Sequence, residues 1–117
     1  AEQIITMNPD VIILCTVSPT PEVFLTDELY APLRNVNAVK NGRVASVGLL
    51  TWWGDFRLEV PTIMMISAKS VYPELFEDID VGQWLIEYHM ALYNLSEEDA
   101  QQLKVVQQLD WMDDEGF

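Results

Sequence analysis

Few of the 117 residues have the types and spacing that covalent chemistry needs. The chain holds one histidine, His89, and one cysteine, Cys15. A Ser-His-Asp triad would have to use His89, and no G-x-S-x-G turn occurs to present a serine to it. His89 falls inside a helical pattern and is read as a partly exposed helix residue. Cys15 closes an apolar run with no basic neighbour in sequence to lower its pKa, so it is read as buried and inert. A single cysteine and a single histidine exclude a disulfide framework, a cysteine-based zinc knuckle and a multi-histidine metal site. The acids Glu74, Glu77, Asp78 and Asp80 lack the glycine and ligand spacing of a calcium loop and are read as a solvated helix cap. No phosphate-cradling glycine motif is present. The residues therefore predict binding rather than catalysis, with no cofactor and no directly ligated metal.

The segment with the most recognition potential is Thr51-Trp52-Trp53-Gly54-Asp55-Phe56-Arg57. Three aromatics beside a guanidinium and a glycine can form a wall for a flat or apolar ligand, with Arg57 available to an anionic group. The alternative is that Trp52 or Trp53 tucks beneath the loop as a satellite of the core. A second loop, Thr16-Val17-Ser18-Pro19-Thr20-Pro21, leaves the carboxyl end of an apolar run. In open α/β sheets that is where ligands usually bind.

The elements that must position these loops follow from patterning. Glu2 to Met7 ends a helix at Asn8-Pro9. Val11 to Cys15 is a continuous apolar run rich in β-branched residues, expected as a buried central strand with helices on both faces. Glu22 to Leu33 is a short helix that Pro32 ends near Ala31. Lys40-Asn41-Gly42-Arg43 is a tight turn into a second strand, Val44 to Val47. Glu59-Val60-Pro61 opens a helix, with proline in its first turn. From Thr62 to Tyr72 that helix is apolar almost all round, as a buried helix would be, and Pro73 stops it. Leu75, Phe76 and Ile79 are expected to point inward from an acidic connector. Val81 to Tyr93 is an amphipathic helix with Trp84, Tyr88 and Ala91 on its apolar stripe. Ser96 caps a further helix, and Asp110 to Phe117 is a fraying tail.

Length and composition set the frame. A chain of 13.4 kDa with half its residues apolar suits a single domain spanning 1–117. Nineteen acids against six bases give a net charge of −13. Nucleic acid and anionic membrane surfaces are thereby excluded as partners, since both recruit cations. No run of 18 apolar residues and no signal-peptide pattern is found in this sequence. Residues 74–117 carry twelve of the acids and one base, Lys104, while residues 1–73 are nearly balanced. The near-neutral part contains both candidate loops.

Three segments resemble one family. Met7-Asn8-Pro9-Asp10-Val11-Ile12-Ile13 resembles the "nPDvIi" segment of the substrate-binding proteins of ABC transporters of the iron-chelate and cobalamin class. Asn37-Ala38-Val39-Lys40-Asn41-Gly42-Arg43-Val44 resembles that family's "AVKnGrVy" hairpin. Glu59-Val60-Pro61, then Ala68-Lys69 and Tyr72-Pro73-Glu74-Leu75-Phe76, resembles its "E-x-P … Ak-x-x-yPelF" helix and stop. The match runs over about residues 2–80 in the family's order. Such proteins bind between two α/β lobes joined by a long helix, and the chain resembles the C-terminal lobe alone.

That resemblance implies a three-layer α/β/α Rossmann-like lobe with a mostly parallel sheet. It implies capture of an iron-siderophore, haem or cobalamin-type chelate in the periplasm or in an extracytoplasmic, membrane-anchored form. The implied partners are the permease's transmembrane subunits and the N-terminal lobe of the same full-length protein. Thr16, Ser18, Trp52, Trp53 and Arg57 would face the ligand. Glu59, or alternatively Asp55, would be the exposed acid that docks on the permease. The Trp52-Trp53 pair departs from the family pattern, which has one tryptophan or fewer there. A rival reading is a chelatase-like enzyme domain or a ligand-sensing module built on the same lobe.

Overall fold

Asn8 and Pro9 end the first helix for different reasons. The helix α1 (Glu2–Met7) closes on Asn8, which takes the left-handed conformation at φ 44° and donates its N–H to Ile4 O. Asparagine tolerates that conformation better than most residues, and Pro9 cannot extend the helix. The chain then enters the strand β1 (Ile12–Leu14). The structure is a computed structural model and describes residues 1–15, 20–50 and 56–117.

The strand β2 (Val44–Ser46) runs parallel to β1, with Ile12 opposite Val44, Ile13 opposite Ala45 and Leu14 opposite Ser46. Three elements lie between them. The helix α2 (Pro21–Thr26) starts on a Thr20 cap with proline at its first position. A 3-10 turn, Glu28–Leu33, is capped by the Asp27 carboxylate, which accepts from Leu29 N at 2.8 Å. The short helix α3 (Asn37–Lys40) leads into a turn where Gly42 has φ 65°. After β2 come α4 (Phe56–Val71), a 3-10 turn Pro73–Leu75, α5 (Val81–Tyr93), α6 (Glu97–Val106) and α7 (Trp111–Glu115).

Alternation along the strands divides the core in two. Ile12 and Leu14 pack with Phe24, Leu33, Val36, Ala38 and Val44. Ile13 faces the opposite way, onto a larger cluster that includes Ala45, Val47, Ile66, Leu85, Leu109 and Met112. The residues between the strands cover one face of the pair, and the C-terminal helices cover the other.

The expected three-layer α/β/α Rossmann-like lobe with a mostly parallel sheet is not what forms. Among the described residues the sheet has two strands of three residues each, and the molecule is mostly helical. The physical reason is supply. Only Val11–Cys15 and Val44–Val47 are short β-branched runs bounded by turns, whereas the other apolar residues recur at helical spacing. With one neighbour instead of two, β1 is half-buried at every position rather than central. Cys15 at its end is exposed, not buried, and its thiol donates to Ile13 O at 3.3 Å.

Several helical expectations shift as well. The helix α4 begins at Phe56, so Pro61 sits in its second turn rather than its first. Ile66 is fully buried, but Met64 is 64% exposed and Tyr72 beyond the helix end is 54% exposed. This helix therefore has an outer face. Leu75 points outward too, while Ile79 packs on the larger cluster. In α5 the inner stripe is Val81, Leu85, Ile86 and His89. Trp84 and Tyr88 lie beside it and stack on each other at 5.1 Å, and Ala91 is exposed. The expected fraying tail is instead α7, whose Trp111 and Met112 are buried in the core.

The caps agree better. Asp80 starts α5 by accepting from Gln83 N at 2.8 Å, and Ser96 starts α6 by accepting from Asp99 N at 3.1 Å. Replacing Ser96 by alanine removes that acceptor and should lower the unfolding free energy by about 1 kcal/mol. A urea midpoint indistinguishable from the parent would contradict it.

Candidate functional site

Because β1 and β2 are parallel, their carboxyl ends lie side by side. Val47 N donates to Leu14 O at 3.0 Å across those ends. Residues 16–19 follow β1 in sequence, and residues 51–55 follow soon after β2. Thr16, Ser18, Trp52, Trp53 and Asp55 lie outside the described residues. The described residues place Leu14 beside Val47 at those carboxyl ends. Arg57, in the first turn of α4, has an exposed side chain.

Glu59 lies two residues further on and faces the opposite way, as helix geometry requires. Its side chain is inward, with the residue 5% exposed. Tyr93 donates its hydroxyl to Glu59 Oε1 at 2.6 Å, and Gln107 Nε2 donates to the same oxygen at 3.4 Å. Thr62 Oγ1 donates to Glu59 Oε2 at 3.3 Å, and His89 Nε2 lies 3.3 Å from that oxygen. The expected exposed docking acid is thus the centre of a buried polar cluster drawn from α4, α5 and the residue after α6. A carboxylate enclosed in this way is not presented to a partner. His89, read from sequence as partly exposed, is fully buried.

The electrostatics follow from these contacts. Burial pushes the Glu59 carboxyl up, because it disfavours the charged form. The hydrogen bonds from His89 and Tyr93, the charge of His89 and the bond from Thr62 together outweigh it, and the pKa falls below the ordinary 4.5. Nearby, Tyr88 donates to Leu58 O at 2.5 Å. Its phenol is pushed up, first by desolvation and then by the Glu59 charge. The cluster ties α4 to α5 and to the end of α6, with His89 and Glu59 inside and Tyr93 at its outer edge. Among the described residues no three His, Cys, Asp or Glu side chains converge as a metal ion would require.

Sequence reasoning missed Thr62, Tyr93, Gln107 and Lys104. A signal for the first two exists: Glu59 and Thr62 are three apart, and His89 and Tyr93 are four apart, so each pair shares a helix face. Lys104 is 1% exposed and pairs with Asp113 of α7. Gly82 lies against it, where a Cβ would come within 3.0 Å of Lys104 Nζ.

The three segments singled out in the sequence hold one another. Asn8 Oδ1 accepts from Asn37 N at 2.9 Å, and Asn37 Nδ2 donates to Asp10 Oδ1 at 3.2 Å. Ala38 N donates to Pro9 O at 2.9 Å. Arg43 Nη2 then reaches the end of α4, donating to Ser70 O and Val71 O at 3.0 Å each. No protein-family description, curated protein or solved structure matches the chain.

Proposed function

We propose that this chain is part of the solute-binding component of an ABC importer, one that captures a metal chelate outside the cytoplasm and hands it to a permease. The observation that carries the reading is the mutual contact of the three family-like segments. The Asn-Pro-Asp segment, the Asn-Gly-Arg turn and the end of α4 form one hydrogen-bonded unit. Residues that resemble a family in order and also touch one another support a common origin better than scattered matches would. The shared carboxyl edge of β1 and β2 supports it further, since Thr16 and Ser18 follow one strand and Trp52, Trp53 and Arg57 follow the other.

On this reading the tryptophans contact the chelate's flat or apolar surface, and Arg57 attracts its anionic groups. A siderophore, haem or corrinoid complex meets both requirements. A second part of the same binding protein closes over the ligand, and Asp55 takes the docking role that Glu59 is too enclosed to fill. The activity is binding and presentation, without bond making.

In the full-length protein, Trp52→Ala or Trp53→Ala should weaken chelate binding about tenfold or more, with the unfolding midpoint nearly unchanged. Quenching of tryptophan fluorescence on titration with ferric siderophores, haemin and cobalamin measures it. If none of these quenches the parent protein, the chelate reading is wrong.

A further inference from the structure

A recess opens at the amino end of the parallel pair. It has a volume of about 140 Å³ and is lined by Gly42, Arg43, Val44, Lys69, Pro73 and Phe117, among others. It lies beside the turn that leads into β2.

Charge makes this recess unusual. The chain carries only six bases among nineteen acids, and two of the six line this one small space. Among the described residues, neither has a carboxylate partner: the ion pairs formed there belong to Arg34, His89 and Lys104. Arg43 spends Nη2 on the carbonyls of Ser70 and Val71, but its Nε is buried and has no acceptor. Lys69 donates to Ile79 O and lies 5.4 Å from the centre of the Phe117 ring, with donors to spare. The remaining wall is apolar: Val44, Pro73 and the Phe117 ring. Gly42 has nothing within 4 Å of where a Cβ would stand, so the mouth beside it is open.

We propose that this recess is a binding site for a small organic carboxylate, its head held by Arg43 and Lys69 and its short apolar body against Val44 and Phe117. A recess of this size has room for a branched acid of a few carbons. Charge-assisted hydrogen bonds to a carboxylate are stronger than neutral ones, and a planar carboxylate suits a guanidinium edge.

Titration of the ¹⁵N-labelled protein with sodium isobutyrate, followed by amide and arginine Nε spectra, tests the site. The expected result is saturable movement of the Gly42 and Lys69 amides and of Arg43 Nε–H. Isobutyramide, the neutral isostere, and sodium chloride at equal ionic strength should leave these signals in place. Lys69→Met keeps the alkyl stem and should weaken isobutyrate about tenfold. Equal movement with chloride or with inorganic phosphate would show generic anion attraction and overturn the proposal. Absence of saturable movement in the parent protein would overturn it without recourse to any variant.

Discussion

Glu59→Ala should lower the unfolding free energy by about 3 kcal/mol. The carboxylate is the common acceptor for Tyr93, Gln107, Thr62 and His89, and its removal strands four groups that are wholly or partly buried. Glu59→Gln keeps the shape and some acceptor capacity, so its loss should be about half as large. The two variants also separate charge from packing through pH. The folded pKa of Glu59 lies below its ordinary 4.5. The stabilisation from its charged form is therefore complete above about pH 4.5 and is lost as pH falls through the lower folded value. Urea midpoints measured down that range should drop more steeply for the parent than for Glu59→Gln. Parallel curves would mean that the Glu59 charge contributes nothing.

Gly48→Ala should destabilise by about 3 kcal/mol or more, for a reason unconnected with charge. Gly48 has φ 55°, and a Cβ there would stand 2.1 Å from Gln107 O and 3.0 Å from a Leu109 methyl. The Gln107 carbonyl cannot turn aside cheaply, because it accepts from Leu49 N at 2.9 Å. Gly42→Ala provides the contrast. Its φ is 65°, but nothing lies within 4 Å of its would-be Cβ. That change should cost only the left-handed conformation, about 1 kcal/mol. Comparable midpoint losses in the two variants would show that the close approach at Gly48 does not matter.

The sequence was most legible where a residue acts on its own neighbours. Asn8-Pro9 stopping a helix, Asp80 and Ser96 starting two others, and the Asn41-Gly42 turn are local events, decided by backbone sterics and short hydrogen bonds. The errors came where a partner distant in sequence decides. Val11–Cys15 has the composition of a central strand, but centrality depends on how many other strands exist, and one run cannot reveal that. The acidic residues after 109 suggest a solvated tail, yet Trp111 and Met112 pack into the cluster that Ala45, Ile66 and Leu85 line. Glu59 at a helix start suggests a favourable surface charge. That it turns inward depends on His89 and Tyr93, thirty and more residues away. Of the residues expected at the candidate site, Arg57 and Glu59 lie within the described residues, and they point to opposite sides of α4.

The contact between Gly48 and Gln107 also bears on how the molecule is made. Leu109, Trp111 and Met112 complete the cluster that Ala45 and Val47 begin. During synthesis β1 and β2 emerge early, and Ile66 and Leu85 follow, but one face of the pair is not fully covered until residues near 112 emerge. At about 5–20 residues per second, that interval lasts several seconds. An apolar strand pair left partly uncovered for that long is prone to associate with other chains. The acidic residues spread through 74–115 arrive in the same interval, and their mutual repulsion keeps neighbouring nascent chains apart while the core waits to close.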